Sequence, residues 1–114
     1  MDVRIKRVYE PRFAEDGKRI LVDRLWPRGL TKENASVDLW LKHIAPSTEL
    51  RKWFGHEPAR WSEFQKRYRD ELKKNVDSVS LLSREAESGS ITLVFGAKDE
   101  ERNEAVVLRS ILKR

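Results

Sequence analysis

The densest chemistry in the sequence is one string, Asp23-Arg24-Leu25-Trp26-Pro27-Arg28-Gly29. Asp23 follows the apolar Ile20-Leu21-Val22, which predicts a partly buried side chain. A carboxylate in that setting is either paired or raised in pKa, so Asp23 is the candidate general acid or base. Arg24 and Arg28 are planar, permanently charged donors suited to two-pronged contact with phosphate or carboxylate. Trp26 offers a wall or a stacking surface, and Pro27 and Gly29 impose a bend. Two other segments carry matching residues: Arg7 and Tyr9 in one, Lys98, Asp99 and Asn103 in the other. Together they predict a pocket for a small anionic molecule. Arg24, Arg28 and Lys98 would bind its phosphate or carboxylate, Trp26 and Tyr9 would line it with Arg7 and Asp99 alongside, and Asn103 would orient the ligand. A structural reading carries equal weight, in which Asp23 pairs internally with Arg24, Arg28 or Lys98 and Trp26 belongs to the core.

Other chemistries find less in the chain. Cysteine is absent, which removes disulfides, thiol nucleophiles and cysteinyl metal sites. His43 and His56 stand alone, without His-x-x-x-His spacing or a nearby carboxylate pattern, so no metal site is expected. Ser47 and Thr48 lack an evident base, and helix capping accounts for them better than nucleophilic attack. Neither Gly-x-x-x-x-Gly-Lys nor Gly-x-Gly-x-x-Gly occurs, so no standard nucleotide loop and no cofactor is expected. Position 25 is Leu, which breaks the Asp-x-Asp pattern of aspartyl phosphotransferases.

Charge opens a second class of function. With 24 Lys and Arg against 19 Asp and Glu, the formal net charge is +5. A basic surface favours polyanions, and weak nucleic-acid binding is the alternative to a small-molecule pocket. The charges are nevertheless mixed: between 60 and 74, Arg60, Lys66, Arg67, Arg69, Lys73 and Lys74 alternate with Glu63, Asp70 and Glu71. That reads as a solvated helix face. In a third reading, Trp40, Trp53 and Phe54 stay exposed and complete a homo-oligomer. The N-terminus lacks a signal-peptide core and no apolar run reaches membrane-spanning length, so the expectation is a cytoplasmic protein without a membrane partner.

The elements that must position these residues are mostly legible. Val3, Ile5 and Val8 alternate with basic residues as a strand ending near Tyr9, and Arg19 to Asp23 reads as a buried central strand. The turn chemistry of Pro11 and Asp16-Gly17 lies between them. Residues 37–44 fit a strand and a helix equally. Ser47 or Thr48 caps a helix that stops at Gly55, and Pro58 opens another whose Trp61, Phe64, Tyr68 and Leu72 form one apolar stripe. A further helix runs from about Ser78 to Glu87, Ile91 to Phe95 is the clearest strand, and Asn103 precedes a terminal helix. Strands separated by helices favour an α/β fold. The connection between the first two strands is too short for a helical crossover, which leaves a hairpin open.

Four strings resemble the YeaO-like branch of the domain-of-unknown-function 488 family: Lys6-Arg7-Val8-Tyr9, Ile20 to Gly29, Ala45 to Lys52, and Ala105 to Leu108. The resemblance spans nearly the whole chain, and Val22 to Gly29 carries it most specifically. It implies a small bacterial or archaeal α/β protein and brings no established activity or catalytic residue with it. Longer relatives in that superfamily have a helix between the first two strands, which implies parallel pairing here. Those relatives often carry cysteines, so no thiol role transfers, and an automated link to porphyrin methylation finds no glycine-rich loop for a methyl donor. Residues 1–114 are therefore expected to form one α/β domain, with a three- or four-stranded, mostly parallel sheet flanked by helices.

Overall fold

The computed structural model describes residues 2–113. Its strands are β1 (Val3–Arg7), β2 (Lys18–Leu21), β3 (Leu39–Trp40) and β4 (Ile91–Phe95). The helices are α1 (Lys32–Ala35), α2 (Thr48–Phe54), α3 (Trp61–Lys73), α4 (Val76–Ser88) and α5 (Glu104–Leu112). All strand pairs are parallel, in the order β1-β4-β2-β3. This is an α/β fold. Among the described residues no helix is long and apolar enough to cross a membrane.

The hairpin alternative fails because β4 lies between the first two strands. Leu93 pairs with Ile5 on one side and Ile20 on the other. The return from Arg7 to Lys18 needs no helix, since about ten extended residues reach about 33 Å. Running back along a five-residue strand and across two strand spacings covers less than that. Only a short 3-10 turn, Ala14–Asp16, interrupts the return. Gly17 ends it at φ 63°, where a Cβ would lie 2.1 Å from the Ser90 carbonyl oxygen. Any side chain there would push the return loop off the start of β4.

The two faces of the sheet are covered differently. Ile20, Val22, Leu93 and Phe95 meet the helical layer, in which Phe54 stacks on Phe64 with ring centroids 4.4 Å apart. The stripe read from the sequence of α3 is that layer's inner face: Phe64, Tyr68 and Leu72 are buried, and Trp61 packs against them. Leu21 and Val94 face the other way, into a small cluster with Val8, Ala35, Trp26 and Trp40. Among the described residues, the helix that contributes to this cluster is the four-residue α1, through Ala35. Arg19 does the organising instead, with its side chain fully buried. Its guanidinium donates to the carbonyls of Val8 (3.2 Å), Glu10 (3.1 Å), Ala35 (3.1 Å) and Ser36 (3.0 Å), and to Asp16 Oδ2 (3.1 Å). Lys6 adds a second cation 2.9 Å from the same oxygen. Loop carbonyls that would otherwise be buried without partners are thus satisfied by one side chain.

The ambiguous segment 37–44 divides. Leu39 and Trp40 extend the sheet beside Ile20 and Leu21, and Lys42–Ile44 then forms a 3-10 turn. Ser47 caps α2, accepting from the Leu50 N–H at 3.1 Å, and Gly55 closes it at φ 53°. Phe54, expected to be exposed, is core because its ring fills the space between α2 and α3. Trp40 and Trp53 are half-buried.

Candidate functional site

Parallel strands bring all their carboxyl ends to one edge, where the loops after β2 and β4 part in front of α5. A hollow of about 250 Å³ opens there. Phe54 and Phe64 form its apolar floor, with Leu25, Pro46 and Ala97 on the walls. Its polar lining is Asp23, Arg24, Arg51, His56, Arg102 and Glu104, with Asn103 beside them.

Asp23 is fixed from both ends. Its carbonyl accepts the Trp40 indole N–H at 2.7 Å, and Oδ2 accepts the Gly96 N–H at 2.8 Å. A Cβ at position 96 would come within 3.0 Å of that Oδ2, so glycine lets β4 approach the carboxylate. Glu104, the first residue of α5, lines the same hollow as Asp23. Burial pushes the Glu104 carboxyl well above the ordinary carboxylate range. The neighbouring Asp23 carboxyl pushes it further, against the opposing pull of its own backbone N–H and of Arg51. Among the described residues neither carboxyl has a salt-bridge partner.

The arginines differ in how far they are committed. Arg24 is turned into the wall, donating to the carbonyls of Ala45 (3.0 Å) and Pro46 (3.2 Å). Arg102 shares its charge with Asp99, whose Oδ2 lies 3.2 Å away. Arg51 is exposed at the rim and has no ion-pair partner among the described residues. His56 sits nearby with φ 58°, a left-handed backbone that a non-glycine residue adopts at a cost of roughly 1–2 kcal/mol.

Of the residues singled out from the sequence, Asp23, Arg24 and Asn103 line the hollow. Asn103 is held there as the cap of α5: Oδ1 accepts from Val106 N–H at 3.2 Å, and Nδ2 donates to the Asp99 carbonyl at 2.9 Å. Arg7 donates to the carbonyls of Ala97 (2.9 Å) and Gly96 (3.2 Å) and lies over the Tyr9 ring. The Tyr9 hydroxyl reaches the Arg28 carbonyl at 3.1 Å. These two residues tie the three strand-end loops together from outside the hollow. Trp26 donates to the Leu30 carbonyl and meets Trp40 edge-on, 5.4 Å between centroids. Asp99 accepts the N–H groups of Glu101 and Arg102, which hold its carboxyl below its ordinary value against desolvation. The side chains of Arg28 and Lys98 are exposed and do not line the hollow.

A family model described as the Inactive DUF488-N3 subclade matches residues 2–114. The chain belongs to that family. An uncharacterised protein of Escherichia coli, YeaO, is 42% identical to it over 113 residues, covering 99% of this chain and 98% of the relative. Uncharacterised proteins of Mycobacterium tuberculosis and Mycobacterium bovis are each 42% identical over 112 residues, covering 96% of this chain and 92% of theirs. No solved structure matches the chain significantly.

In this DUF488-N3 chain, four lining residues escaped sequence reasoning: Arg51, His56, Arg102 and Glu104. Glu104 is not singled out by the sequence, because an acid in the first turn of a helix is favourable at any helix N-terminus. Its signal was available, since a helix that starts just beyond a strand end points its first residues at the strand-end crevice.

Proposed function

We propose that this chain binds a small anionic molecule in the hollow between Asp23 and Arg51. The observation that carries the reading is the convergence of Arg24, Arg51, Arg102 and His56 on one crevice with an aromatic floor. Arg51 is the principal grip, because Arg24 is spent on carbonyls and Arg102 is shared with Asp99. A guanidinium offers paired donors to a carboxylate or phosphate, and the half-enclosed setting strengthens that contact over water. The family's description as inactive favours retention of the ligand over turnover, so Asp23 is read as part of the binding surface.

The test is a thermal-shift screen with phosphate- and carboxylate-bearing small molecules, at millimolar concentration and low salt. At least one should raise Tm, and Arg51→Ala should abolish the rise while Arg28→Ala leaves it intact. A rise that survives Arg51→Ala, or a screen without any stabilising anion, removes the proposal.

A further inference from the structure

The hollow has more apolar wall than an acid group alone can use. Leu25, Ala45, Pro46, Phe54, Phe64 and Ala97 all line it, around a space of about 250 Å³. A benzene ring is held by an apolar cavity of about 150 Å³, so this one takes a single ring with a short acid arm. Leu25 shows that the apolar side is uncovered, since it is 62% exposed. One exposed leucine is ordinary, but the chain on both sides of this one is pinned. Arg24 donates to the Ala45 and Pro46 carbonyls, and the Trp26 indole donates to the Leu30 carbonyl. The exposed rings of Tyr9 and Phe13 each lie beneath a cation, Arg7 and Lys6. Leu25 instead is held on the wall of an open hollow.

Resting on the anion-binding reading, we propose that the ligand is a single-ring monocarboxylic acid, with its carboxylate on Arg51 and its ring between Leu25 and the Phe54–Phe64 floor. Charge selects the acid group. Arg24 is bonded to carbonyls and Arg102 to Asp99, so among the described residues Arg51 is the lining arginine without a partner of either kind. A carboxylate brings one negative charge and two oxygens, which match one guanidinium. A phosphate monoester brings nearly two charges at neutral pH, and the excess meets the Asp23 carboxylate in the same hollow. Asp23 also sets the direction of entry: like charge keeps the acid group out at the rim with Arg51, and the ring goes inward. There the ring removes the apolar surface of Leu25 from water, a gain closed to an acid without a body. The stacked Phe54 and Phe64 rings add aromatic contact.

The experiment titrates the full chain with benzoate, phenylacetate and phenylpropionate, with acetate and phenyl phosphate, and with benzamide as the neutral twin of benzoate. Amide chemical shifts read each Kd, weak ones included, and locate the ligand. At least one aryl acid should bind about fivefold or more tighter than both acetate and phenyl phosphate. Its largest shifts should fall at Leu25, Gly96 and Ala97. Leu25→Ser should cut the lead over acetate by about half or more, and the exposed position keeps the fold intact. A smaller lead over acetate overturns the ring, and a smaller lead over phenyl phosphate overturns the single charge. A lead unchanged in Leu25→Ser overturns the leucine wall. Each of these leaves the anion reading standing. Benzamide binding as tightly as benzoate, shifts confined to another part of the molecule, or no anion binding at all overturns both.

Discussion

Two polar clusters lie within this small molecule, and they are built to opposite rules. Around Arg19, every donor and acceptor has found a partner: four carbonyls and a carboxylate surround the guanidinium, and Asp16 is shared between two cations. Around Asp23, a second carboxyl, Glu104, lines the same open hollow, and among the described residues neither has a salt-bridge partner. A satisfied cluster fixes shape. A cluster whose carboxyls have no cation bonded to them is open to meet something else. The difference separates a scaffold from a candidate site without recourse to conservation.

The contrast can be broken most forcefully at Arg19. Arg19→Met should cost roughly 3–5 kcal/mol, because it leaves the Asp16 charge and several carbonyls buried without their donor. Urea denaturation measures it, and a loss under about 1 kcal/mol would place Arg19 outside the scaffold. The pH dependence sharpens the comparison, since the two clusters should titrate with opposite signs. Desolvation of Asp16 acts to raise its carboxyl, but Lys6, the Phe13 N–H and Arg19 together hold it below its ordinary value of 3.8. The stability it contributes is present above that value and lost as pH falls through the lower folded one. Glu104 is raised above 4.5, so its contribution is complete below that value and is lost as pH rises through the higher folded one. Stability difference against pH should therefore shrink on acidification for Asp16→Asn and on alkalinisation for Glu104→Gln. Slopes of the same sign would undo the distinction. The smallest effects belong to the outer loop residues. Arg28→Ala and Lys98→Ala should each change stability by less than about 0.5 kcal/mol in thermal melts, as exposed side chains do.

What was legible in the sequence follows the range of the interaction that encodes it. The cap at Ser47, the stop at Gly55, the stripe Trp61-Phe64-Tyr68-Leu72 and the strand Ile91 to Phe95 are all written within a few residues of where they act. So is the prominence of Asp23, which follows its strand directly. Parallel pairing of β1 and β2 with the inserted β4 depends on residues far apart in the chain. No local pattern reports it. Arg19 was hidden for a related reason: its partners are carbonyls, and a carbonyl has no residue type to recognise. Arg51 and Arg102 reach the hollow on elements that fold there for the sake of the core, and their approach to Asp23 follows only from the assembled sheet.

The position of β4 has a consequence for the order of events during synthesis. Among the described residues β1 bonds to no strand but β4, and β2 has besides it only the two residues of β3. β1 and β2 therefore leave the ribosome long before the strand that joins them, with only the short β3 to pair with β2 in the meantime. The sheet closes in one late step, with contacts spanning most of the chain, which makes for slow folding and a nascent chain in need of shelter.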